Sequence, residues 1–262
     1  MWIHEYQDWS NFKWDYDHIT LKLGDIRYCQ GLLLGKMQTL GFELKKEASL
    51  NIITSDVVKS SAIEGEMLNP AEVRSSVARR LGVDIAGLKP VNRNVEGIVE
   101  VMLDATQNFS DLLTKERLFN WHGALFPTGR SGMNKITVAK WRNIAVDPMQ
   151  VVSGAIGNEK IHFEAPSAHE VDKEMKIFLD WINNNNTDSI LQVGIAHLWF
   201  VTIHPFEDGN GRIARAISDM MLARSDNMAE RFYSLSTQIE SERKDYYNAL
   251  EQQQRSKQEI TA

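Results

Sequence analysis

Hydrophobic positions recur at helical spacing along most of this chain, and the breaks between periodic stretches outline its elements. Residues 17–48 form a long amphipathic stretch interrupted by Gly31, Gly35 and Gly41, and residues 49–64 follow as a helix with Leu50, Ile53, Val57 and Ile63 on its apolar side. Gly65 is placed to stop that helix, and Asn69-Pro70 to cap and open the next. Helices are predicted over 91–108 and over 114–125, the second capped by Thr114 and closed before Pro127. From Thr128 to Pro166 the pattern changes to glycines and short β-prone pieces. There, Val151-Val152 and Ile161-His162-Phe163 flank Gly157-Asn158 as a hairpin. Helical spacing then resumes over 167–183, 188–203, 212–224 and 239–255, with Asn183–Asn186 as a loop. The stretch 188–203 is apolar all round and therefore belongs in the centre of a bundle. The expected fold is all-α with one small β-hairpin. Gly82–Pro90 marks the expected boundary between a module at 1–88 and a core at 89–262, and Trp2, Tyr6, Trp9, Phe12 and Trp14 read as a small packed cluster of the module.

Composition narrows this picture without changing it. The 262 residues are 43% hydrophobic and 24% charged, an ordinary globular balance. A formal charge of −6 argues against a general binder of nucleic acid or anionic membrane. The single cysteine, Cys29, excludes an intramolecular disulfide and suits a reducing compartment. The N-terminus lacks the basic start and apolar core of a signal peptide, and the apolar run 190–203 is too short to span a bilayer. A cytoplasmic protein without membrane contact is expected.

The candidate chemistry is concentrated in one segment, His204-Pro-Phe-Glu-Asp-Gly-Asn-Gly-Arg-Ile-Ala-Arg215. Gly209-Asn210-Gly211 can turn the chain sharply and present backbone N–H groups, and a helix starting there offers an anion site. Arg212 and Arg215 lie on neighbouring positions of its first turns, both able to grip phosphate. Asp208 supplies a hard oxygen for Mg²⁺. His204 is a base suited to neutral pH, released from helical geometry by Pro205. Phe206 reads as buried support, His197 as a core histidine and Cys29 as inert; spacing assembles no Ser/His/Asp set.

These twelve residues match the Fic motif, His-x-Phe-x-Asp/Glu-Gly-Asn-Gly-Arg-x-x-Arg, at every specified position, and the chain resembles Fic/DOC family protein adenylyltransferases. The resemblance implies a Fic-type helical core and transfer of AMP from ATP, with Mg²⁺, to a Tyr, Ser or Thr hydroxyl of a target protein and of the chain itself. His204 is then the base, Asp208 the Mg²⁺ ligand, and the loop Glu207, Asp208, Gly209, Asn210, Gly211 the phosphate cradle. Glu207 stands at an unspecified position in a solvated role. Arg212 resembles the arginine that binds the polyphosphate, and Arg215 the one that holds the γ-phosphate. Upstream, Ser60-Ser-Ala-Ile-Glu64-Gly65 matches the family's inhibitory motif, which sets Glu64 against Arg215 and makes the protein autoinhibited. The hairpin, about 151–164, resembles the family flap that aligns the target by strand addition, with Ile161, His162 and Phe163 positioning it. Tyr246 and Tyr247 fall where the last core helix nears the nucleotide base. The Trp-rich start resembles the N-terminal domain of one bacterial subgroup. That subgroup usually adds a winged-helix domain that is not present before Ala262, so nucleic-acid binding is not expected. Three alternatives stay open: removal of AMP at the same site, a related phosphotransferase, and a catalytically silent partner-binding protein. Gly209 and Gly211 argue against the kinase-like relatives, which carry Ala-Asn-Lys there. Oligomeric state, including a homodimer, is open as well.

Overall fold

A computed structural model describes residues 1–154 and 158–255, together with the backbone of 259–260. In chain order the elements are β1 (Lys13–Trp14), α1 (Tyr16–Gln38), α2 (Phe42–Ile63), α3 (Pro70–Leu81), α4 (Arg93–Gln107) and α5 (Lys115–Leu125). They continue with β2 (Arg130–Ser131), β3 (Asn134–Lys135), β4 (Gln150–Ser153), β5 (Lys160–Glu164), α6 (Ala168–Asn184) and α7 (Ser189–Ile203). The last are α8 (Asn210–Asp226), α9 (Leu235–Ser241), α10 (Arg243–Arg255) and β6 (Glu259–Ile260). The chain is all-α around small two-stranded ladders: β2 with β3 and β4 with β5 antiparallel, β1 with β6 parallel.

Helix α7 is the axis of the molecule. Asp188 caps it by accepting from the N–H groups of Ile190 and Leu191. Trp199, Phe200 and Ile203 are essentially inaccessible to solvent, each side chain contributing about 1.5–3 kcal/mol by burial. Around it, Leu50, Ile53 and Val57 of α2 and Val73 and Val77 of α3 share one hydrophobic cluster with α4 to α8, so packing is continuous across residues 88 and 89. The aromatic start is not a cluster of its own. Trp9 and Phe12 pack edge-on against Trp199, with ring centroids 6.1 and 5.4 Å away, and Trp2 packs on Phe163 at 5.4 Å. It straps α7 and the flap instead, because Trp199 leaves an aromatic face for it to cover.

Element boundaries differ from the sequence reading at four places. The break between the first two long helices falls at Thr39–Gly41, not at residue 48. The Thr39 hydroxyl bonds the Lys36 carbonyl at 2.7 Å and closes α1, and extended Gly41 opens α2. Gly31 and Gly35 stay inside α1, a helix exposed enough that only Ile19 is buried. The expected helix 239–255 is two helices, α9 and α10, broken at Glu242 with φ −112° and ψ 31°. Helix α8 begins at Asn210 rather than Arg212, which moves the anion-binding end onto the Gly-Asn-Gly turn. The hairpin itself is present, pairing Val151 with Phe163 and Val152 with Ile161 across an irregularity; Gly157 of its expected turn lies outside the described residues. Among the described residues no helix is long and apolar enough to cross a membrane.

Candidate active site

His204 ends α7 in the left-handed conformation, φ 51° and ψ 58°, its N–H bonded to the Phe200 carbonyl at 3.0 Å. Pro205 predicts an extended residue; the chain leaves the helix at this point by the left-handed route. That geometry costs a non-glycine residue on the order of 1 kcal/mol or more. Arg142 holds it. Its Nε donates to the His204 carbonyl at 2.9 Å and its backbone N–H to the Pro205 carbonyl at 2.8 Å, while its buried guanidinium pairs with Asp147 at 2.6 Å. The His204 Nδ1 lies 3.2 Å from the Val201 carbonyl. Only a protonated nitrogen can make that bond, so Nε2 carries the free lone pair. Burial, reinforced by the Arg142 charge against an opposing pull from the Val201 hydrogen bond, holds the imidazole below its ordinary 6.5. The ring is neutral at pH 7.

The next residues are fixed from beneath. Phe206 is fully buried, as its sequence predicts, and stacks on His122 with centroids 4.1 Å apart and planes 7° from parallel. The His122 Nδ1 accepts the Ala139 N–H at 3.1 Å, which leaves Nε2–H to donate to the Asp208 carbonyl, also at 3.1 Å. Burial drives the His122 pKa down to about 4, so it remains a neutral strut. Asn210 spends its side-chain amide on the backbone N–H and carbonyl of Phe206, at 3.0 and 2.8 Å. That side chain therefore braces the turn, as buried amide groups must be paired. Gly209 has φ +82°, and a Cβ there would lie 2.8 Å from the Phe126 ring. Glu207 is not merely solvated: it accepts the Thr137 N–H at 3.0 Å and ties the loop to the segment after β3. The Asp208 carboxylate is 41% exposed, accepts from the Ser131 hydroxyl and the Gly209 N–H, and lies 3.8 Å from Arg212.

Helix α8 then opens with the Ile213 N–H bonded to the Gly209 carbonyl, so the N–H groups of Asn210, Gly211 and Arg212 sit at the positive end of the helix dipole. A carboxylate lies beside this helix end. A Cβ on Gly211 would fall 2.1 Å from the Oε1 of Glu64. The same oxygen accepts from Arg215 Nη2 at 2.7 Å, while the Ser60 carbonyl accepts from that Nη2 and the Ser60 hydroxyl from Nε, both at 2.9 Å. Arg215 is 1% exposed. Glu64 is the last residue of α2's end, and Gly65, at φ +81°, turns the chain away. Two residues beyond, Glu66 Oε2 accepts from Arg212 Nη1 at 2.7 Å, a contact the sequence reading does not contain.

A cavity of about 730 Å³ joins these parts, lined by Glu64, His204, Gly211 and Arg215 on one side and by Tyr246, Tyr247 and the flap on the other. Its size suits a small-molecule ligand, for which about 300–1,000 Å³ is usual. The Tyr246 hydroxyl lies 2.7 Å from His197 Nε2, and His197 Nδ1 lies 3.0 Å from Ser218. The core role expected of His197 is the one observed, its pKa lowered to about 4 by burial and by the Arg215 charge. Of the flap residues, Ile161 is 42% exposed and free to meet a partner. Phe163 is not: it is 1% exposed and packed on Trp2 and His4, because the N-terminal strap covers that face of the strand. His162 links the flap to α10, 2.6 Å from Ser153 Oγ and 2.7 Å from Glu251 Oε2. The fold therefore assembles a Ser–His–Glu chain that residue spacing does not reveal.

Oxygen donors at Asp208 and Ser131 fit a hard cation that keeps most of its ligands from water and phosphate. Among the described residues no cluster of three or more His, Cys, Asp or Glu side chains is placed to hold a metal by itself. The donors therefore suit an ion that arrives with a polyphosphate.

Residues 112–222 match the model of the Fic/DOC family, and residues 2–83 that of a domain of unknown function (DUF4172). Protein adenylyltransferase fic-1 of Caenorhabditis elegans is 35% identical over 85 residues, 30% of this chain and 16% of the relative. Protein adenylyltransferase Fic of Aedes aegypti is 22% identical over 188 residues, 69% of this chain and 34% of the relative. The chain thus spans 16% and 34% of these relatives' length. In fold it is similar to a Fic domain containing signaling protein from Bacteroides thetaiotaomicron, with a TM-score of 0.61, 21% identity and coverage of 84% of this chain and 78% of that one. A Fic family protein from Desulfovibrio desulfuricans gives 0.58 at 23% identity, covering 85% and 63%.

Proposed function

We propose that this chain, whose residues 112–222 match the model of the Fic/DOC family, is a protein adenylyltransferase that moves AMP from ATP to a Tyr, Ser or Thr hydroxyl of a target protein and of itself. The observation that carries this reading is the meeting, in one cavity, of a neutral His204 with the N-terminus of α8 and Arg215. The target hydroxyl gives its proton to His204 Nε2 while its oxygen attacks the α-phosphorus, and the bond to pyrophosphate breaks. The α8 N–H groups and the two arginines hold the phosphates. Asp208, with Ser131, would hold Mg²⁺, which offsets charge on the departing pyrophosphate. Arg142 and His122 act through others: one sets the His204 backbone, the other the Asp208 backbone. The open edge near Ile161 receives the target segment, and Tyr246 and Tyr247 face the nucleotide's base. Glu64, bound to Arg215 above Gly211, keeps the triphosphate from its productive seat, so the resting protein is autoinhibited.

Incubation with ATP labelled at the α or the γ position tests the reaction class, with self-modification as readout. Label from the α position alone, lost in His204→Ala, supports AMP transfer; label from the γ position makes the protein a kinase. A second reading, hydrolytic removal of AMP from a modified hydroxyl, is favoured by Glu64 and His204 lining the same cavity. Release of free AMP from a pre-modified protein, without net transfer from ATP, is its signature.

A further inference from the structure

Glu64 is not the only carboxylate that reaches the phosphate-binding arginines. The positive φ of Gly65 reverses the chain at the end of α2, and Glu66 comes back over the first turn of α8. Its Oε2 lies 2.7 Å from Nη1 of Arg212, whose side chain is only 9% exposed. The Phe126 ring packs beneath that guanidinium at 5.0 Å, and Asp208 stands off at 3.8 Å, so Glu66 is the close anionic partner. Across the turn, Glu64 Oε1 lies 2.7 Å from Arg215 and over Gly211. Glu64-Gly65-Glu66 therefore presents two anions, on one short turn, to the two arginines that a polyphosphate would need.

We propose that this turn is an internal polyphosphate mimic in which Glu66 is a second competing anion, one that masks Arg212 independently of Glu64. The proposal rests on the reading of this site as one for a nucleoside triphosphate, and it deepens that reading. Physically, a ligand phosphate must displace Glu66 from a mostly buried guanidinium before it can use Arg212. Displacing an anion held by a charge-assisted hydrogen bond lowers apparent affinity. The two carboxylates are separable because they hold different arginines. Glu64 competes where Arg215 and the α8 N-terminus bind, and Glu66 competes where Arg212 binds. Removing Glu64 alone therefore leaves the site half masked.

Calorimetric titration of ATP and ADP with Mg²⁺ tests this in the full chain, with His204→Ala in every variant to prevent turnover. Glu66→Gln keeps the size of a side chain that is about one-third exposed, and thermal melting checks that each variant folds. The expected result is that Glu66→Gln tightens ADP and ATP alike, by about three- to tenfold. In the Glu64→Gln background the gain repeats, since the two masks are independent. Nucleotide binding that is unchanged or weakened by Glu66→Gln in both backgrounds, with Glu64→Gln still tightening ATP, overturns the second mask and leaves the nucleotide-site reading standing. Absence of nucleotide binding in every folded variant overturns both.

Discussion

At the N-terminus of α8 the charged groups are already engaged: Arg215 by Glu64 and Ser60, Arg212 by Glu66, Asp208 by Ser131 and the Gly209 N–H. Across the same cavity the flap presents Val152 and Ile161, 48% and 42% exposed, while Lys160 and half-buried His162 both reach Glu251 of α10. The first region is largely paired within the protein, as buried charged groups must be, although the buried Arg212 Nε has no partner. The second leaves these side chains open, as the proposed addition of a target strand requires. For the proposed transferase, regulation acts on the phosphate side, by exchanging one anion for another, and target recognition on the flap side.

Changes at the motif side break the comparison most severely. His204→Ala is expected to lower AMP transfer by about 10²–10⁴-fold, the usual contribution of a positioned base, with little change in melting temperature. His122→Phe keeps the stack on Phe206 but leaves the Asp208 carbonyl and the Ala139 N–H unpaired. A fall in turnover of about 10- to 100-fold is expected, for unpaired buried groups costing about 1–3 kcal/mol each, and His122→Gln recovers part of it. Turnover equal to that of the parent would show that the loop is not braced from below. The packing strap is next: Phe12→Ala should destabilise the fold by about 3 kcal/mol or more, read as a lower denaturation midpoint with turnover retained. A flap substitution is the mildest. Ile161→Ala should raise KM for a protein target a few-fold and leave nucleotide binding alone; an effect on nucleotide affinity instead would merge the two regions that the structure keeps apart.

The pH profile sharpens the same contrast. The proposed base, His204, is needed as the neutral imidazole, and its pKa lies below 6.5 because of burial and the nearby Arg142. Transfer therefore falls as pH drops through that lowered value, and the acid limb of the rate should lie below pH 6.5. An acid limb above it would mean that a different group is the base.

The convergence of residues 204–215 on one helix end was legible because the histidine, turn and arginines are contiguous, and contiguous spacing is what sequence shows best. The central place of α7 was equally legible from its uninterrupted apolar run. Partners supplied from elsewhere in the fold were not. Glu66 meets Arg212 across 146 positions, Arg142 meets His204 across 62 and His122 meets Asp208 across 86, and no periodicity reports such distances. An acidic residue just past the Glu64-Gly65 turn was the one available hint of Glu66. The α1–α2 border was misplaced because Gly31, Gly35 and Gly41 look alike in sequence. Only Gly41 coincides with a helix end sealed by a hydroxyl, that of Thr39. Phe163 was misread because its neighbour on the covered face, Trp2, lies at the far end of the chain.

The central claim is that Glu64 holds the phosphate side shut. It is tested most directly by the initial rate of self-modification from α-labelled ATP in wild type and Glu64→Gly. Loss of a charge-assisted contact worth about 1.5–3 kcal/mol predicts a rate about 10- to 100-fold higher in the variant, abolished by adding His204→Ala. Equal rates in the two proteins, or a slower rate in Glu64→Gly with the fold intact, would contradict the account.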